Sequence, residues 1–199
     1  MNIKHAREIL KNKISDELFI HSLGVEETAL RLAAAYGIDS EKAALAGILH
    51  DYGKTFSEDA LYQIASKHNI VDAVTLQEPA LLHAPVGAWL VEQELGIRDR
   101  DILDAVKSHT TGIPGMSTLA KIVYLADYIE PSRSCPGVQV LREVALYDLQ
   151  RALLFAVDMT IKYVIEMEKI VHPHSIAFRN SLILSIRKNN QELQNYEAF

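Results

Sequence analysis

Residues 43–54 read Ala43-Ala44-Leu45-Ala46-Gly47-Ile48-Leu49-His50-Asp51-Tyr52-Gly53-Lys54, an almost wholly apolar run that ends in an adjacent imidazole and carboxylate. As a helix, Ala43 to Leu49 is apolar on every side, which marks a buried central helix rather than an amphipathic surface one. His50 and Asp51 are therefore expected deep in the protein, where an unpaired carboxylate costs several kcal/mol. Two readings stay open at this point: a hydrogen-bonded core pair closing a helix, or half of a ligand set. The rest of the chain has to decide between them.

Toward the N-terminus, Ile3, Ala6, Ile9 and Leu10 have helical spacing over residues 2–13. Ser15-Asp16-Glu17-Leu18 reads as a cap for a turn leading to His21, which is placed at the start of a helix whose apolar stripe, Val25, Ala29, Leu32, Ala33 and Tyr36, runs to Gly37. Asp39 or Ser40 caps the central helix. Toward the C-terminus, helices are expected over 58–68, 86–95 and 99–107, with His83 at a loop-to-helix junction and His109 opening the turn-rich Ser108–Gly115. In the next helix, over 117–129, Ala120, Val123 and Tyr124 share a stripe whose following position is Asp127, an acid on an apolar face. Pro131 ends that helix, a loop carries Arg133, and helices over 145–169 and 176–188 precede a polar tail from Asn189 that is expected to fray. No β-alternation or repeat of useful length is present. The fold class is read as all-α, one helical domain over 1–199.

Composition narrows the function classes. An apolar share of 49% with 23% charged residues gives enough material for a sizeable core. The net charge of −6 argues against a polymer of nucleic acid or an anionic membrane as partner, since both select basic faces. The single cysteine, Cys135, excludes multi-cysteine zinc sites and fits a reducing cytoplasm. No apolar run approaches the roughly 20 residues of a membrane span, and the N-terminus lacks a signal-peptide core.

His21, His50, Asp51 and Asp127 now stand together as two imidazoles and two carboxylates. Nitrogen and oxygen donors without sulfur suit Fe, Mn, Zn, Co or Mg and leave room for water and a phosphate oxygen. The order of these four over a helical chain resembles the HD-domain metal-dependent phosphohydrolases. More narrowly, His21-Ser22-Leu23-Gly24-Val25, His50-Asp51-Tyr52-Gly53-Lys54, His83-Ala84-Pro85-Val86-Gly87-Ala88, His109-Thr110-Thr111-Gly112-Ile113-Pro114-Gly115-Met116 and Ala126-Asp127-Tyr128-Ile129-Glu130-Pro131 resemble the bacterial YqeK family of symmetrical diadenosine tetraphosphate hydrolases, over residues 15–175.

The resemblance implies one transition metal, iron favoured, on His21, His50, Asp51 and Asp127, and cleavage of diadenosine tetraphosphate into two ADP. His21, Asp51 and Asp127 then meet substrate as well. Lys54 and Arg133 are candidates for gripping phosphate. His83 and His109 have three readings: donors to phosphate or acids for the leaving ADP, which is favoured; ligands of a second metal; or loop ties. Thr110 is placed to meet phosphate. Ile170 and His172 are implied to close over the base, with His174 beside Pro173 a departure from the family pattern. A homodimer is implied, compatible with the apolar 145–169 segment. The competing functions are an HD phosphohydrolase of mononucleotides or deoxynucleotides and a nonenzymatic nucleotide-sensing domain.

Overall fold

The computed structural model describes residues 1–197, with side chains to residue 191, and all regular structure among them is helical. The first three helices start where a polar side chain can accept amides that no preceding carbonyl reaches. Asn2 does this for α1 (Ile3–Lys11), Ser15 for α2 (Asp16–Tyr36) and Asp39, through the amides of Glu41 and Lys42, for α3 (Ser40–Leu49). Gly37, at φ +66°, stops α2 in the left-handed conformation that glycine takes without penalty. After α3 the chain passes through a 3-10 turn, Tyr52–Thr55, and continues with α4 (Glu58–His68), α5 (Ala73–Gln77), α6 (His83–Leu95), α7 (Arg100–Ser108), α8 (Thr118–Ile129), α9 (Val138–Val144), α10 (Leu149–Glu166) and α11 (Pro173–Glu197).

The central helix is where its composition puts it. α3 packs against α1, α2, α7 and α8, and Ala43, Ala44, Ala46, Gly47, Ile48 and Leu49 are all buried. Gly47 matters because α2 passes so close that a Cβ there would lie 2.9 Å from the Glu26 Cα. Glu26 itself is 2% exposed and is held by the Arg7 guanidinium of α1 through Nε at 2.9 Å and Nη2 at 2.5 Å. One buried apolar cluster extends from Ala6 to Leu182. At about 1.5–3 kcal/mol for each large aliphatic or aromatic side chain taken from water, it offsets the cost of burying a polar centre in its midst.

Several boundaries differ from those expected from sequence. His21 lies six residues inside α2 rather than at a helix start, because the Ser15 cap, with Asp16 and Glu17 in the first turn, begins the helix that early. α6 starts at His83 instead of 86, since Pro85 falls in its first turn, where no amide is needed. The helix expected over 145–169 is shorter: Asp148 caps α10 through the amide of Arg151, so α10 begins at Leu149 and ends at Glu166, and α9 precedes it where no helix was expected. α5, too short to carry a periodic signal, is capped by Asp72. The stretch from Asn189 continues α11 as helix to Glu197 instead of fraying; residues 198–199 lie outside the described ones. No helix of the described residues is long and apolar enough to cross a membrane.

Candidate metal centre

Five elements deliver six side chains to one place. α2 supplies His21, the end of α3 supplies His50 and then Asp51, the start of α6 supplies His83, the end of α7 supplies His109, and α8 supplies Asp127. His50 and Asp51 are 0% and 1% exposed and His109 is 3% exposed, so the charge and the rings converge in the interior. The doublet spans a change of structure: α3 ends at Leu49, and Asp51 sits in the following turn at φ −97° and ψ 17°. That turn lets the Asp51 carboxylate face two neighbours at once.

On one side, His21 Nε2 is 3.2 Å from both His50 Nε2 and Asp127 Oδ1, and Asp51 Oδ2 stands 3.2 Å from His50 Nε2 and 3.7 Å from His21 Nε2. On the other, His83 Nε2 and His109 Nε2 are 3.1 Å apart, and Asp51 Oδ1 lies 3.3 and 3.5 Å from them. Asp51 thus joins the other three residues expected as ligands to the two expected as catalytic histidines.

The hydrogen bonds at the far side of each ring decide what the near side offers. His50 Nδ1 donates to Gly47 O at 2.8 Å, His83 Nδ1 to Ala80 O at 2.8 Å, His109 Nδ1 to Val106 O at 2.7 Å and His21 Nδ1 to Glu130 Oε1 at 3.1 Å. A neutral ring that donates from Nδ1 presents a lone pair at Nε2. The short Nε2–Nε2 distances therefore bring lone pairs together, and Asp51 Oδ1, though buried, accepts no hydrogen bond. Such an arrangement asks for cations.

Charge states agree. Burial works against ionisation of Asp51, yet His50 and the other rings outweigh it and hold its carboxyl well below the usual range. Asp127 is lowered as well, its burial outweighed by the adjacent imidazoles of His21 and His50. Burial opposes a charge on His50, but Asp51 reverses that and raises its pKa, a proton that a metal cation would displace. Burial, reinforced by His109, pushes His83 down to about 3.

The cationic candidates are tied to the carboxylates. Lys54 Nζ lies 2.7 Å from Asp51 Oδ2. Arg133 reaches Asp127 twice, Nη2 to Oδ1 at 2.7 Å and Nε to the backbone oxygen at 3.0 Å. Beside the centre lies a cavity of about 600 Å3, lined among others by Pro85, Ser108, Thr110, Ile113, His172 and His174. Thr110 and His172 are thus brought to one wall with the neighbours of His83 and His109, while Ile170 does not line the cavity and is 45% exposed.

Asp72, His172 and His174 cluster closely enough to suggest a further ion site. His172 Nδ1, however, accepts the His174 backbone N–H at 3.1 Å, so Nε2 carries the hydrogen and donates toward Asp72 Oδ2 and Thr75 Oγ1, each at 3.2 Å. This is a tether between the α10–α11 connection and α5. Sequence reasoning missed Asp72 and Thr75, which carry no local signal. It also missed Glu130, which lies just past the end of α8.

Comparison with known proteins agrees with this arrangement. The family model described as HD domain matches residues 18–132. The symmetrical bis(5'-nucleosyl)-tetraphosphatase of Bacillus subtilis is 40% identical over 183 residues, covering 92% of this chain and 98% of that protein. The Staphylococcus aureus protein of the same name is 37% identical over 171 residues, or 81% of this chain and 88% of that one. A crystal structure of a predicted HD superfamily hydrolase from Clostridium acetobutylicum superposes with a TM-score of 0.88 at 40% identity, over 93% of this chain and 98% of that one. Six convergent donors in an all-helical frame, with full-length relatives of one name, leave one conclusion: the chain belongs to the HD-domain family, in the branch of the symmetrical bis(5'-nucleosyl)-tetraphosphatases.

Proposed function

We propose that this chain hydrolyses diadenosine tetraphosphate symmetrically to two ADP, using an ion held by His21, His50, Asp51 and Asp127. The observation that carries the reading is the buried Asp51 carboxylate, ionised, shared between two sets of inward-facing Nε2 atoms and with one oxygen that accepts no hydrogen bond. These residues fit a transition metal with nitrogen and oxygen preference, iron favoured, with Mn, Co, Zn or Mg as alternatives. When bound, the ion supplies acidification of a water at neutral pH and neutralises charge on the phosphates.

The protein's own part is positioning and charge. Arg133, fixed on Asp127 through Nε and Nη2, keeps Nη1 for a phosphate oxygen. Lys54 brings a second positive charge to the Asp51 side. Thr110, next to His109 in the chain, lines the cavity and is a phosphate contact. With Nδ1–H given to a carbonyl, His83 and His109 offer Nε2 as an acceptor; a proton taken there from the attacking water lets the ring donate to the scissile phosphates or pass that proton to the leaving ADP. A second reading places a second cation between His83, His109 and Asp51 Oδ1, and the unbonded Oδ1 is what favours it.

The cavity is suited to one nucleoside, with the His172 segment as its outer wall. His172→Ala, or Asp72→Ala, unties that wall from α5. Each is expected to raise KM for diadenosine tetraphosphate about 10–150-fold with a smaller effect on kcat, in line with about 1.5–3 kcal/mol for a hydrogen bond to a charged group. Steady-state kinetics check this, and unchanged KM in both variants contradicts the role of the segment.

The chain is further assigned as one HD domain acting in the cytoplasm, as a homodimer through exposed apolar residues of α10 and α11 such as Tyr163, Ile165, Ile176 and Leu184. Light scattering on the eluting peak tests the dimer. Turnover of diadenosine tetraphosphate against a panel of mononucleotides and deoxynucleotides tests the activity. Preferential phosphate release from the panel would favour the mononucleotide phosphohydrolase, and no turnover at all would favour a sensing domain.

A further inference from the structure

Three of the four imidazoles sit where a helical segment ends or begins, and each hands its Nδ1 hydrogen to the carbonyl three residues before it. Carbonyls of a last turn have no amide of their own helix to accept, so this acceptor comes with the position. His21 has no such carbonyl. It lies in the interior of α2, where the backbone oxygens are already taken by the helix ladder.

Its acceptor is instead Glu130 Oε1, 3.1 Å away on the turn that follows α8. Glu130 is 1% exposed, which for a carboxylate needs partners. Besides His21 it accepts from the Ser132 amide at 2.7 Å and from the Ser132 hydroxyl. Arg142 of α9 fixes the turn by donating to the carbonyls of Ile129, Glu130 and Arg133 at 2.7, 2.6 and 2.9 Å. α2 makes room for the acid with Gly24, three residues after His21: a Cβ there would stand 2.7 Å from Glu130 Oε2 and 3.2 Å from Pro131 Cδ.

We propose that Glu130 is a positioning residue that fixes the tautomer and orientation of His21 and thereby sets the affinity of the centre for its metal. The proposal rests on reading the centre as a metal site. A carboxylate on Nδ1–H leaves the Nε2 lone pair as the only one the ring can offer, and its negative charge makes that ring a stronger ligand than the three bonded to carbonyls. The end of α8 and the turn after it then carry both a ligand, Asp127, and the group that aims a second ligand from another helix.

The test uses the full chain stripped of metal and titrated anaerobically with Co(II), read by calorimetry and by visible absorption. Nitrogen-15 spectra of the uncomplexed protein report the tautomer of each ring. Glu130→Gln is expected to weaken Co(II) binding about 10–100-fold, and among the four histidines only His21 loses its single tautomer. Gly24→Ala, which leaves Glu130 in place but displaces it, is expected to do the same. Ser132→Ala, which removes a different hydrogen bond of Glu130, is expected to leave affinity near that of the parent. Parent-like affinity and tautomer in Glu130→Gln, whatever its melting temperature, would overturn the proposal and leave Glu130 as a cap for its turn. A parent protein that takes up no Co(II) would overturn the metal reading and the proposal with it.

Discussion

Asp51→Asn is expected to strip the centre of metal and to lower hydrolysis of diadenosine tetraphosphate by more than the about 10–100-fold typical of an outer-shell change. The substitution is isosteric, so packing survives, but the amide removes the charge shared by the two halves of the centre. One carboxylate oxygen faces His21 and His50 and the other faces His83 and His109. An asparagine turns an N–H toward one of those pairs and offers its lone pairs the hydrogen bond they lack. The stripped variant is therefore expected to melt no lower than the stripped parent, while metal content after gel filtration falls to background. Stoichiometric metal in the variant would contradict the shared role of Asp51.

The second large effect belongs to a residue with no side chain. Gly53 lies in the 3-10 turn just after the doublet, where the turn meets α6 backbone to backbone. A Cβ at Gly53 would run into the His83 carbonyl, with the carbonyl carbon and Cα both at 2.9 Å, and one at Gly87 would be 2.9 Å from the Gly53 nitrogen. No side chain can rotate out of the way, so Gly53→Ala must part the turn from α6. That separates Asp51 from His83, which stand 3.3 Å apart on the two pieces. Overpacking of this kind costs about 1–3 kcal/mol or more, or roughly 2–4 °C in melting temperature per kcal/mol for a chain of this length. Thermal melting and kinetics should show the two losses together, and a variant with parental melting and rate would contradict the contact.

What could be read from the sequence was what local pattern carries. The uniform apolarity of 43–49 marked the buried helix, and Asp127 stood out as an acid on an apolar stripe. His21 stands out as a candidate ligand although it lies further inside α2 than expected, because candidacy depends on side-chain type and helix boundaries on caps. The hidden part is the non-local part. Glu130, Asp72 and Thr75 act on partners 97–109 positions away, and no spacing rule links such positions. The start expected at 145 is four residues early because Ala145 and Leu146 suit a helix as well as Leu149 does, and the Asp148 cap sets the true start. The link of Asp51 to both histidine pairs depends on a turn angle that periodicity does not encode.

The most direct measurement is product analysis with the purified chain, metal stripped and then reloaded with Fe(II) under anaerobic conditions, acting on diadenosine tetraphosphate. Chromatography is expected to show ADP as the only nucleotide product, two per substrate consumed, and none from the stripped protein until metal is restored. ATP and AMP in equal amounts, or full hydrolysis by the stripped protein, would contradict a metal centre built on Asp51 that cuts this substrate at its middle.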